Sequence, residues 1–77
     1  MDELIQLLEE VREDIDFETE DSLVDGGILD SFDILQIISA IQENYDVTIP
    51  AGAIIPENFN NADALYKLVQ QLVDESL

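Results

Sequence analysis

Nineteen acidic and only two basic side chains in 77 residues set the formal net charge at −17, with a pI of about 4.1. Such a polyanion is repelled by phosphate backbones and by anionic membrane surfaces, which excludes nucleic acid and membranes as partners. The chain contains neither His nor Cys. That removes thiol nucleophiles, His-activated hydroxyls, disulfides and His- or Cys-built zinc sites, so any reactive chemistry must arrive on an attached group.

Apolar residues make up 47% of the chain, the proportion of a folded domain rather than of a solvating tail. The length suits one small domain spanning 1–77. Met1-Asp2-Glu3-Leu4 lacks the basic stretch of a secretory leader, and a cytoplasmic location is expected. Leu4, Leu7, Leu8, Val11 and Ile15 recur at helical spacing and draw one apolar stripe, with Asp2 and Glu3 at the positive end of the helix dipole. Glu9–Glu13 and Glu10–Asp14 are like-charge pairs one turn apart, only partly offset by Arg12. The helix is therefore expected to end by about Asp16. From Asp16 to Asp30 no stripe persists. Asp25-Gly26-Gly27 signals a turn, and Phe17, Leu23, Val24, Ile28 and Leu29 are expected to pin a structured loop.

A second helix follows, capped by Asp30 or Ser31, with Asp33 in its first turn. Its stripe is Ile34, Ile37, Ile38, Ile41 and Tyr45, widened by Phe32 and Leu35. The run from Ile34 to Ile41 is too short to cross a bilayer. Val47-Thr48-Ile49 has the composition of a strand but no partner, and Pro50 closes it. One short helical turn is expected over Ala51–Ile55 and a turn at Pro56-Glu57-Asn58-Phe59. A last helix is then capped by Asn60 or Asn61. It carries the stripe Leu65, Leu68, Val69 and Leu72, an Asp63–Lys67 ion pair, and a tail that frays from Asp74 to Leu77. The fold class is all-α: a small bundle of three main helices plus one short helix, with a long loop between the first two.

Abundant carboxylates raise a calcium site first. An EF-hand loop beginning at Asp14 puts Thr19 where Gly is required and Asp25 where the closing Glu is required. Beginning at Asp16 puts Asp21 at the Gly position, so no metal site is expected. Carboxylate pairs for hydrolysis arise by chance at this density, and so short a chain has little room for a substrate cleft. Ser31 stands apart. It lies in Gly27-Ile28-Leu29-Asp30-Ser31-Phe32, where a Gly-containing loop meets an amphipathic helix. It could simply cap that helix. It could also bear a phosphodiester, which the unpaired N–H groups and positive dipole of a helix N-terminus favour. No His is available to activate it, so another enzyme would have to modify it.

Leu29-Asp30-Ser31-Phe32, an apolar helix, and then Tyr45-Asp46-Val47-Thr48-Ile49-Pro50 together resemble the acyl carrier proteins. The resemblance runs from about Leu4 to Leu72. It implies that Ser31 accepts a 4′-phosphopantetheine arm from coenzyme A through a phosphopantetheinyl transferase, with Asp30 as the adjacent acid. The arm's thiol would then carry acyl groups as thioesters between acyl- or aminoacyl-loading and acyl-processing enzymes. On this reading the chain is a monomeric carrier, not an enzyme, and the second helix is its docking surface for basic patches on those partners. The implied docking positions are Asp30, Phe32, Asp33, Leu35, Gln36, Ser39 and Glu43, with Glu57 beyond the helix. Phe32 and Leu35 could equally be core residues, and Asp33 and Glu43 plain solvated charges.

The signature's third residue is Phe32 where fatty-acid carriers usually have Leu, and Gln36 and Gln42 stand where those carriers usually have Glu. Asp-Ser-Phe resembles D-alanyl carrier proteins and specialised stand-alone carriers, and Pro56-Glu57-Asn58-Phe59 resembles those specialised carriers. The expected role is carriage of acyl intermediates in a specialised lipid, polyketide or related pathway. The alternatives are a D-alanyl or other aminoacyl carrier, or an acidic interaction module that is never modified.

Overall fold

The computed structural model describes residues 2–76. Its helices are α1 (Asp2–Val11), α2 (Ser31–Tyr45), α3 (Pro56–Phe59) and α4 (Ala62–Ser76), with a 3₁₀ turn at Ala51–Ala53 between α2 and α3. No strand occurs among the described residues, and none of their helices is long and apolar enough to cross a membrane. The three long helices place their stripes on one core. α1 contributes Leu4, Ile5, Leu7 and Leu8, α2 contributes Ile37, Ile38 and Ile41, and α4 contributes Ala62, Leu65 and Val69. Each fully buried Leu, Ile or Phe side chain stabilises the fold by about 1.5–3 kcal/mol relative to exposure.

The loop between α1 and α2 is pinned as its composition suggests. Phe17, Leu23 and Leu29 are buried, and Val24 and Ile28 pack partly against the core. Two glycines shape it. The Gly26 N–H donates to the Ser22 carbonyl at 2.7 Å, and a Cβ on Gly26 would meet that same oxygen at 2.5 Å. Gly27 sits at φ +73°, a backbone that L side chains rarely adopt. α2 is capped at its C-terminus by Asp46, a non-glycine residue in the left-handed region (φ 55°). Beyond it Val47 and Ile49 are buried, and the side chain of Gln42 accepts from the Ile49 N–H at 3.1 Å. Burial, with smaller effects of Glu3 and Tyr66, raises the Tyr45 phenol above its ordinary range.

Several expectations are corrected. α1 stops at Val11, several residues ahead of Asp16; the Arg12 N–H still donates to the Leu8 carbonyl at 3.0 Å, and its side chain pairs with carboxylates of the loop and of α2. Ile15 still reaches the core from the turn that follows. A short helix lies at Pro56–Phe59, where a turn was expected, while the short helical turn expected over Ala51–Ile55 is present as the 3₁₀ turn at Ala51–Ala53. Pro56 is pre-set for the first helical position and holds Ile55 extended (φ −127°, ψ 153°). The Asn58 side chain then donates to the Ala53 carbonyl at 2.8 Å. α4 continues through Asp74 to Ser76 instead of fraying from Asp74; Leu77 lies outside the described residues. Among the described residues Lys67 makes no ion pair, so the Asp63–Lys67 bridge does not form, and the bridges present are those of Arg12.

Candidate functional site

The site is built at the start of α2. Leu29, 5% exposed, anchors the end of the loop, and its N–H donates to the Leu23 carbonyl at 2.8 Å. Chain direction is thereby fixed one residue before Asp30. Asp30 is the N-cap. Its Oδ1 accepts from the Asp33 N–H at 2.8 Å, and Asp33 Oδ2 accepts from the Asp30 N–H at 3.3 Å, closing a reciprocal capping box. Both carboxylates lie near the positive end of the α2 dipole.

Because Asp30 does the capping, Ser31 does not. Ser31 is the first residue of α2 and is exposed, and its hydroxyl makes no hydrogen bond among the described residues. Helix start, exposure and an uncommitted hydroxyl are what attachment of a phosphate ester requires, and the unpaired first N–H groups of α2 lie beside it. The chain supplies no base for the hydroxyl, since it has no His.

The remaining positions on α2 separate into two groups. Phe32 (65% exposed) and Leu35 (62% exposed) lie on the surface, not in the core. Gln36, Ser39 and Glu43 are also exposed, and the spacing of these five residues puts them on one side of the helix. Glu57 is exposed in the first turn of α3. Asp33 is the correction. It is 6% exposed, and its Oδ2 accepts from Arg12 Nη1 as well as from the Asp30 N–H. Neither a docking carboxylate nor a freely solvated charge describes it. Arg12 also forms a two-pronged contact with Asp14, through Nε and Nη2 at 2.9 Å each, which holds the Asp14 carboxyl below its ordinary range.

Two contributors escaped the reading of the sequence. Arg12 ties the end of α1 to the first turn of α2; its rarity in so acidic a chain was the available signal. Of the two candidate caps for α4, Asn61 fills the role, its Oδ1 accepting from the Ala64 N–H at 2.7 Å. Asn60 instead clamps the loop. Its Oδ1 accepts from the N–H groups of Val24 and Asp25 at 3.0 Å each, its Nδ2 donates to Asp25 Oδ2 at 2.9 Å, and its carbonyl accepts from the Leu23 N–H at 2.9 Å. Asn60→Ala removes the three side-chain bonds and is expected to cost about 1–3 kcal/mol. Asn60→Asp should fare no better, because a carboxylate would then face Asp25. Urea unfolding together with amide exchange at residues 23–29 checks this, and unchanged protection in Asn60→Ala would show that the clamp does not hold the loop.

Among the described residues no group of three or more carboxylates comes together to hold a metal ion. Comparison with known proteins gives one matching family and several named relatives. The family described as "Phosphopantetheine attachment site" matches residues 2–69. The chain is 30% identical over 69 residues to a D-alanyl carrier protein of Lactobacillus delbrueckii subsp. bulgaricus, covering 90% of this chain and 86% of that one. It is 31% identical over 74 residues to a D-alanyl carrier protein of Lactococcus lactis subsp. cremoris, covering 96% and 89%. With the D-alanyl carrier protein of Streptococcus sanguinis the identity is 27% over 71 residues, covering 91% and 90%. No solved structure gives a significant match.

Proposed function

The chain belongs to the phosphopantetheine attachment family, and from that premise we propose that Ser31 bears the covalent 4′-phosphopantetheine arm. The observation that supports this reading is the division of labour at the start of α2, where Asp30 caps the helix and leaves the Ser31 hydroxyl exposed and uncommitted. In the modification a seryl O–P bond forms as the pyrophosphate P–O bond of coenzyme A breaks, and adenosine bisphosphate leaves. The hydroxyl proton passes to a base of the phosphopantetheinyl transferase. When bound, the arm supplies the thiol on which cargo rides as a thioester. The chain itself is a carrier rather than an enzyme.

The proposed cargo is a small aminoacyl group. Two features support it: the relatives above are named D-alanyl carrier proteins, and Phe32 follows Ser31 as in the carriers that Asp-Ser-Phe resembles. Acyl intermediates of a specialised lipid or polyketide pathway are the second reading, favoured by the Pro56-Glu57-Asn58-Phe59 segment. Housekeeping fatty-acid synthesis fits less well. Asp30, Phe32, Leu35, Gln36, Ser39, Glu43 and Glu57 are the proposed partner-facing positions. Asp33 is omitted because its carboxylate is buried and paired.

Incubation with coenzyme A and a broad-specificity phosphopantetheinyl transferase is expected to add the mass of one phosphopantetheinyl group, and Ser31→Ala to abolish the gain completely. An unchanged wild-type mass beside a carrier that is modified in the same tube would overturn the proposal and favour an unmodified acidic interaction module. The modified protein should then accept D-alanine from an adenylating enzyme in preference to fatty acids. The reverse preference would favour the second reading.

A further inference from the structure

Two adjacent residues, Asp30 and Ser31, are comparably suited by chemistry to cap α2. If Ser31 capped, the helix would start one residue later and the Ser31 hydroxyl would accept from the Ile34 N–H. That N–H instead donates to the Asp30 carbonyl at 3.1 Å, and the Ser31 hydroxyl stays uncommitted. The second half of the capping box separates the two registers. In the Asp30 register, the Asp30 N–H donates to Asp33 Oδ2. In the Ser31 register the residue three places on is Ile34, whose side chain has no acceptor to return that bond.

The box is electrostatically demanding. It brings two carboxylates together in a chain of net charge −17, and it buries one of them, Asp33, at 6% exposure. Arg12, just past the end of α1, supplies the counter-charge: its Nη1 donates to the same Oδ2 that accepts from the Asp30 N–H. Without the guanidinium the buried carboxylate is unpaired and turns out to water. The Asp30 N–H then loses its acceptor, and Ser31 competes for the cap. We infer that Arg12 is a positioning residue for the modification of Ser31: acting through Asp33, it holds the cap on Asp30 and so keeps the Ser31 hydroxyl available to the transferase. The inference rests on the proposed attachment at Ser31 and adds what keeps that hydroxyl available. Lys67, the chain's other cation, lies on α4 and makes no ion pair among the described residues, so its removal is a control of equal charge.

The test is the steady-state modification of the unmodified full chain by a broad-specificity phosphopantetheinyl transferase at about 15 °C, near the usual stability maximum of small domains. Circular dichroism at that temperature identifies the variants that keep wild-type helix content. Arg12→Ala is expected to raise KM about tenfold with kcat within about twofold, because only the Asp30-capped fraction binds productively. Lys67→Ala changes the net charge by the same amount and should leave both parameters within about twofold. The double variant Arg12→Ala/Asp33→Asn strands no buried charge, so it folds whether or not Arg12→Ala does. Its KM should match that of Asp33→Asn within about twofold. A folded Arg12→Ala chain modified like wild type, an equal rise of KM in Lys67→Ala, or a double variant with KM far above that of Asp33→Asn would overturn the positioning role and leave attachment at Ser31 standing. No modification of the wild-type chain would overturn the attachment reading, and the positioning role with it.

Discussion

Phe59→Ala is expected to lower stability by about 3–5 kcal/mol and to leave much of the chain unfolded at 25 °C. Stabilities near 0.05–0.15 kcal/mol per residue amount to about 4–12 kcal/mol for a chain of this length, so the loss is comparable with the whole. Phe59 is 2% exposed and is among the largest fully buried side chains. It closes α3, the four-residue helix that sits between the connector after α2 and the start of α4. Removing the ring opens a cavity at that junction, next to Asn60, whose bonds hold residues 23–25. The damage should therefore reach the loop that positions Ser31. Phe59→Leu keeps most of the apolar volume and should cost less than half as much. Urea unfolding followed by far-ultraviolet circular dichroism measures both. An Ala variant within about 1 kcal/mol of wild type would mean that the junction collapses around the missing ring.

Phe59 also marks where sequence and structure part. The three long helices follow from local physics: Leu4-Leu7-Leu8, Ile37-Ile38-Ile41 and Leu65-Val69 recur at helical spacing, and those residues form the core. The loop pins Phe17, Leu23 and Leu29 were visible as apolar residues stranded in polar surroundings, and they too are buried. Phe59 stood in a Pro-Glu-Asn-Phe run with no periodicity around it. Four residues are too few to show a stripe, and only tertiary packing fixes them as a helix. Asn60 and Asn61 were indistinguishable as caps because either oxygen could accept from the α4 amides. The choice is made by the loop, whose Val24 and Asp25 N–H groups need an acceptor more than thirty residues away in sequence. The start of α2 was readable as a capped helix carrying Ser31. Which carboxylates there face solvent was not, because the partner of Asp33 is Arg12, twenty-one positions earlier and off the end of α1.

Arg12→Ala is expected to destabilise the chain by several degrees in Tm, more than removal of any exposed carboxylate. The substitution takes the net charge from −17 to −18, since Arg12 is one of only two cations. It also leaves Asp33, 6% exposed, without its counter-charge. Breaking a buried pair from one side strands the other charge, whereas removing both is far milder. The effect of Arg12→Ala should accordingly shrink in an Asp33→Asn background, and equal effects in the two backgrounds would show that the pair is not coupled. Arg12→Lys should rescue only part of the loss: the guanidinium contacts Asp14 through two nitrogens and Asp33 through a third, a span that a single ammonium cannot reproduce. The pH dependence has a definite sign. Asp14 is held below its ordinary pKa chiefly by the Arg12 hydrogen bond, so the stability from that contact is present above the unfolded value near pH 3.9 and is lost as pH falls toward the lower folded value. The Tm gap between wild type and Asp14→Asn should stay constant from neutral pH to about pH 5 and close below about pH 4. A gap that widened on acidification would contradict the assignment. The same pair carries a functional consequence. Asp33 lies two residues after Ser31 and shares the capping box with Asp30, so losing Arg12 should fray the first turn of α2 and speed amide exchange at Asp33 and Ile34 before it affects the centre of the helix.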